Sequence, residues 1–141
     1  MKFIPYGAAR YALAASLVFT GIAACAATSE DLKLTGAQEV PPVNTSATGS
    51  GSIMVADDGT VSGSVKTTGI SGTAAHIHTG EKGVNGPPII TLAKTAEGVW
   101  SVPPGAKLTA EQVKVYKAGG LYVNVHTDAH KGGEVRTQLT P

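Results

Sequence analysis

The strongest constraint on how this chain can fold is alternation. From Leu32 to Leu139, apolar residues recur at every second position within short runs, and Gly, Asp, Asn or Pro separates the runs. A strand sends successive side chains to opposite faces, so each run reads as a strand with one face in a core. The runs lie near Leu32 to Thr35, Ser52 to Ala56, Thr60 to Thr68, Ala74 to His78, Ile89 to Lys94, Gly98 to Val102, Leu121 to His126 and Glu134 to Leu139. Asp57-Asp58-Gly59 carries turn chemistry between two of them and predicts a hairpin, with Ile53, Val55, Val61 and Val65 on one pleat face. Thr109 with Gln112 three residues later is a capping box, and Gly119-Gly120 supplies a stop, so one short helix is expected between Thr109 and Ala118. The expected fold is all-β: an antiparallel, Greek-key-like sandwich or barrel of about eight strands with one short helix.

The first residues are different in kind. Lys2 and Arg10 precede an uncharged, mostly apolar run from Tyr11 to Ala24, and small residues follow. That is the pattern of a secretory signal, and the run is shorter than the roughly 20 apolar residues that a membrane-spanning helix needs. Ile22-Ala23-Ala24-Cys25 resembles a bacterial lipobox, which would make Cys25 a lipidated first residue attached to a membrane surface. Ala24-Cys25-Ala26 also fits an A-x-A cleavage site, in which case Cys25 has no role in the exported form. The expected organisation is a signal over residues 1–25, a short tether over 26–31 and one domain over 32–141. The expected location is outside the cytoplasm, in the periplasm or cell envelope, lipid-anchored or else secreted.

Charge excludes some partners. Residues 1–25 hold Lys2 and Arg10 and no acid, so the 11 basic residues fall to nine against 10 acidic ones, a net charge of −1. The basic residues are scattered singly, which is not the footprint of a nucleic-acid surface. The domain, about 115 residues, can bury one core. Its single cysteine allows no internal disulfide, so added stability must come from packing or a bound metal. No serine, cysteine or lysine stands beside a base in a nucleophile motif and no glycine loop suits a phosphate, so the balance leans away from an enzyme.

The four histidines form two clusters, His76 with His78 and His126 with His130. Alternation puts His76 and His78 opposite Ala75 and Ile77. It also puts Tyr122, Asn124 and His126 opposite Leu121, Val123 and Val125. The apolar sets must face the core, which leaves the histidines on the outer, wetter face. Two imidazoles about 7 Å apart along a strand can converge on one ion, and a third from a neighbouring strand would give three nitrogen ligands. Such a set suits copper, with zinc next, rather than calcium or magnesium. His130 is a fourth candidate from the following loop. Asp128 is the best placed acid to orient a ligand histidine, with Glu81 and Asn85 in the other flanking loop. The same histidines can instead hydrogen-bond to one another, to Asn124 and to the loops, and that alternative stays open.

Leu34-Thr35-Gly36-Ala37-Gln38-Glu39-Val40-Pro41-Pro42, Ala74-Ala75-His76-Ile77-His78-Thr79-Gly80, Tyr122-Val123-Asn124-Val125-His126-Thr127 and Gly132-Gly133-Glu134-Val135-Arg136-Thr137-Gln138-Leu139 together resemble the CHRD domain, named from chordin and widespread in bacterial exported proteins. The resemblance covers residues 32–139 and implies a β-sandwich outside the cytoplasm, with little said about activity. Glu39 and Arg136 fall in two of these motifs and are expected to pair, clamping the N-terminal segment to the last strand. Thr137 departs from the glycine common in the family, and His130 falls where the family varies.

A fainter similarity joins Val61 to His78, and Tyr122 to His126, to the copper-site strands of copper/zinc superoxide dismutases. Residues 79–88 lack the histidine and aspartate of a zinc subsite, so that similarity implies at most an open copper-only site. Three functions are therefore in play: an envelope metal-binding protein, most simply for copper; a copper-only redox enzyme; or a module that binds a protein or glycan with structural histidines. The protein partner is unknown.

Overall fold

The computed structural model describes residues 31–141. The expected signal, Cys25 and all but the last residue of the tether lie outside the described residues. The strands are β1 (Leu32–Thr35), β2 (Thr48–Val55), β3 (Val61–Thr68), β4 (Ala74–Thr79), β5 (Pro88–Thr91), β6 (Ala93–Ala96), β7 (Val99–Ser101), β8 (Leu121–His126) and β9 (Val135–Leu139). One α-helix, α1 (Ala110–Lys117), precedes β8, and a 3-10 turn spans Gly36–Gln38. No helix among the described residues is long and apolar enough to cross a membrane.

All strand pairs are antiparallel, and they form one sheet in the order β5-β4-β8-β9-β1-β2-β3-β7-β6. The two edge strands, β5 and β6, are separated in the chain by Leu92 alone. A sheet whose opposite edges are one residue apart has to curl round on itself, so the architecture is a nearly closed barrel rather than a two-layer sandwich. Leu92 is buried at the seam, and its N–H donates to Ala75 O at 2.9 Å.

This seam corrects the expected strand Ile89 to Lys94, which is two strands with different neighbours: β5 pairs with β4, and β6 with β7. Alternation cannot reveal the switch because Ile90 and Leu92 keep the same period across it and both are buried. The sheet therefore has nine strands instead of eight. β2 likewise starts earlier than expected, since Gly49 and Gly51 carry no side chain to display a period. A Cβ on Gly51 would strike the Ser64 carbonyl of β3.

The turn and cap readings hold. Val55 pairs with Val61 across the Asp57-Asp58-Gly59 turn, where Gly59 takes φ +86° and Thr60 N–H donates to Asp58 Oδ1 at 2.9 Å. At α1 the Thr109 hydroxyl accepts from Gln112 N at 3.2 Å while Gln112 Oε1 accepts from Thr109 N at 2.9 Å. Val65, Ala75, Ile77, Leu121, Val123 and Val125 fill the barrel as the expected core face, joined by Leu34, Val135 and Leu139.

The outer face is not the wet face expected. β8 is buried on both sides, with Tyr122 and Asn124 at 2 % and 1 % exposure. The loop of residues 80–87 and the segment after β1 lie over it. Arg136 holds that loop, its Nη1 donating to Asn85 Oδ1 at 3.1 Å and its Nη2 to Glu81 O and Val84 O at 3.1 and 3.0 Å. Asn85 Nδ2 in turn donates to Val40 O at 2.7 Å, tying the two covering segments together. A strand reports which of its residues share a face, and says nothing of what a distant loop will place on that face.

Candidate metal centre

β4 and β8 are neighbours, with His76 opposite Asn124, His78 opposite Tyr122 and His126 opposite Ala74. The alternation that buries Ala75, Ile77, Val123 and Val125 turns His76, His78 and His126 to the same outer patch. One nitrogen from each ring lies within 4.8 Å of the other two. His76 Nδ1 and His126 Nε2 are 3.0 Å apart. Two nitrogens bound to one tetrahedral ion at about 2.0–2.1 Å would sit roughly 3.3 Å apart, so the His76–His126 pair is near ligand spacing and the third nitrogen would have to close in.

The backbone sets the tautomers. A carbonyl only accepts, so His78 Nδ1–H must donate to Gly86 O at 2.8 Å and His126 Nδ1–H to Lys131 O at 2.9 Å. Both Nε2 atoms therefore carry lone pairs. Such fixing of a ligand ring by a carbonyl on its far nitrogen is the usual companion of metal-binding histidine. His76 Nδ1–H donates to the His126 Nε2 lone pair, a bond that must open, with the His76 proton moving to its other nitrogen, if both atoms are to face one ion.

Burial, joined for His76 by its two histidine neighbours, holds all three pKa values below the ordinary histidine range. The rings are thus neutral at pH 7, the state that binds metal. His78 also lies flat on Tyr122, with ring centroids 4.8 Å apart and planes 8° apart, and the Arg136 guanidinium caps the other side of the phenol ring at 3.4 Å. Tyr122 and the two carbonyls were not legible as parts of the site. The ring reads as ordinary packing, and a backbone oxygen leaves no mark in a sequence.

The remaining candidates separate. His130 stands outside the trio, in the corner where Glu134 accepts from the Thr45 and Thr127 hydroxyls, both at 2.7 Å. Burial pushes the Glu134 carboxyl up, but those hydroxyls and the nearby His130 outweigh it and hold the carboxyl below its usual range. Asp128 is exposed, and the orienting role expected of it belongs to Gly86 O and Lys131 O. The expected ion pair of Glu39 with Arg136 does not form among the described residues. Arg136 spends its donors on the loop carbonyls, on Asn85 and on Gln138 Oε1 at 3.4 Å. Glu39, 4 % exposed, is instead pushed up to about 7 by burial, against the opposing influence of the Arg136 charge and of Asn124.

Asn124 lies between the histidines and Glu39, its Nδ2 donating to Gly132 O at 3.3 Å. No curated protein and no solved structure matches the chain. A family model for the CHRD domain matches residues 31–139, and the barrel with its histidine-bearing strands is therefore that of a protein belonging to the CHRD family.

Proposed function

We propose that this CHRD protein binds one transition-metal ion, copper before zinc, through His76, His78 and His126, and handles that ion in the cell envelope. The observation that carries the reading is the lone-pair arrangement: three neutral imidazoles converge, and two of them spend their Nδ1–H groups on backbone carbonyls, which turns their Nε2 lone pairs to the cluster, that of His78 without a partner and that of His126 held only by the His76 N–H. Divalent copper outranks zinc at a nitrogen site of this kind, and hard cations that want oxygen are disfavoured. The envelope location rests on the pattern of residues 1–25. A Cys25→Ser change that leaves membrane fractionation unaltered would reject the lipid anchor.

The test is titration of the purified protein with copper and with zinc. Wild type should take up one ion, His130→Ala should match it, and the triple change His76→Ala, His78→Ala, His126→Ala should lose it. Acid should release the ion at a lower pH than the usual histidine value of about 6.5, because the buried rings resist protonation. Retention of a stoichiometric ion by the triple variant, or no uptake by wild type at micromolar concentration, would leave the interaction-module reading in its place. Superoxide dismutation by the loaded protein would move it to the redox-enzyme reading.

A further inference from the structure

Four buried side-chain atoms lack a hydrogen-bond partner among the described residues: Glu39 Oε1, His78 Nε2, Asn124 Oδ1 and Trp100 Nε1. Buried polar groups are almost always satisfied, so a group of orphans points to something that satisfies them. Three of the four belong together. Asn124 joins the other two: its Nδ2 and Glu39 Oε1 both lie against Gly133, and it stands diagonally across the β4–β8 ladder from His78. Each of the three residues is more than nine-tenths buried.

Orientation follows from the partners. Asn124 Nδ2 is turned towards Gly132 O, and it and Glu39 Oε1 converge on Gly133, where φ is +126° and a Cβ would collide with both. Oδ1 therefore takes the other end of the amide, towards the histidines. With Nδ1–H committed to Gly86 O, His78 presents a lone pair on Nε2, and Asn124 Oδ1 presents lone pairs of its own. Neither has a donor, and a cation between them satisfies both.

The register agrees. His76 and His78 on β4 and His126 on β8 surround Asn124, which is the direct cross-strand partner of His76 and stands one alternation from His126. Directly paired residues hold their Cβ atoms about 4.5–5.5 Å apart on one face, so all four side chains share one patch.

We infer that Asn124 Oδ1 is a fourth donor to the ion of the proposed centre, making the site three imidazole nitrogens and one amide oxygen; this rests on the histidine reading above. An amide oxygen is a harder donor than imidazole or sulfur, so this set favours divalent copper or zinc over cuprous ion.

The experiment compares wild type with Asn124→Leu, which removes the oxygen at similar volume, and Asn124→Asp, which keeps an oxygen there. Affinity is read by chelator competition, the copper donor set by electron paramagnetic resonance, and the Asn124 side-chain amide by nitrogen-15 NMR during zinc titration. Asn124→Leu should lose roughly 10- to 100-fold in affinity and change the copper spectrum. Asn124→Asp should bind at least as tightly as wild type, with a shifted spectrum, and zinc should move the wild-type amide resonance. A folded Asn124→Leu with unchanged affinity and spectrum would overturn the inference while leaving the histidine site intact. If Asn124→Leu does not fold, an unmoved amide resonance together with an unshifted Asn124→Asp spectrum overturns it equally. Wild type that binds neither ion rejects the histidine site and this inference together.

Discussion

The two faces of the β4–β8 ribbon alternate along the same strands and are both shielded from water, the inner completely and the outer at His78, Tyr122 and Asn124 with His76 and His126 half-buried, yet they are built on opposite principles. On the inner face Ala75, Ile77, Leu121, Val123 and Val125 carry no polar side-chain atom, and burial alone satisfies them. On the outer face His76, His78, Tyr122, Asn124 and His126 are covered by loops that supply only some of the partners they need, and His78 Nε2 and Asn124 Oδ1 are left over. The inner face is finished when the barrel closes. The outer face, closed by Arg136 and the 80–87 loop, leaves two acceptor atoms without a donor among the described residues, at the place where we propose the ion. Burial can therefore finish one side of a strand and leave polar groups without partners on the other.

Mutation should separate the faces. Ile77→Ala, on the inner face, should cost about 2–5 kcal/mol in urea denaturation. It should leave copper affinity close to wild type, because the ring positions are set by outer-face bonds. If Ile77→Ala also abolished metal binding, the faces would not be energetically distinct.

Copper should act on the outer face alone. At about 100 times its dissociation constant it should stabilise wild type by ~2.7 kcal/mol and the triple histidine variant not at all. Thermal melts with and without copper measure this, and equal stabilisation of both proteins would break the comparison.

Arg136→Lys sharpens it further. Lysine keeps the charge but has neither the planar fork that serves Asn85, Glu81 and Val84 nor the flat surface that stacks on Tyr122. The expected cost is about 1–3 kcal/mol, with faster amide hydrogen exchange confined to residues 80–87 and no change at Val123 and Val125. Uniformly faster exchange would mean that the outer cover is part of the core.

The smallest expected effect is in the pH profile. Glu39 titrates at about 7 in the folded protein against 4.5 for an ordinary glutamate. The folded state therefore holds the extra proton between those values. The stability Glu39 contributes is fully present below pH 4.5 and is lost as pH rises through about 7. Glu39→Gln should flatten that loss, which melting temperatures from pH 4 to 8 would show, while the histidines continue to destabilise on the acid side. An unchanged slope would mean that the carboxyl is ionised and paired across that range.

What could be read from residues alone was whatever depends on neighbours in the chain. Alternation placed most strands and put His76, His78 and His126 on the side away from the core. Asp57-Asp58-Gly59 and Thr109 with Gln112 identified a hairpin and a helix start, because turn and cap bonds join residues two or three apart. Those patterns sufficed for an all-β fold and for the three histidines as a group.

Contacts between distant segments decided the rest. The change of partner at Leu92 is invisible to a period that runs through it unbroken, and it is this change that makes a barrel with nine strands. The cover over the outer face depends on Arg136 reaching residues 81–85, more than fifty positions away, and this is also why Arg136 does not pair with Glu39. The tautomers of His78 and His126 depend on the carbonyls of Gly86 and Lys131, which every residue type carries alike. Sequence specified the side-chain chemistry available on each face of a strand. Only the tertiary structure decided which of those groups would be deprived of water and which would be given a partner.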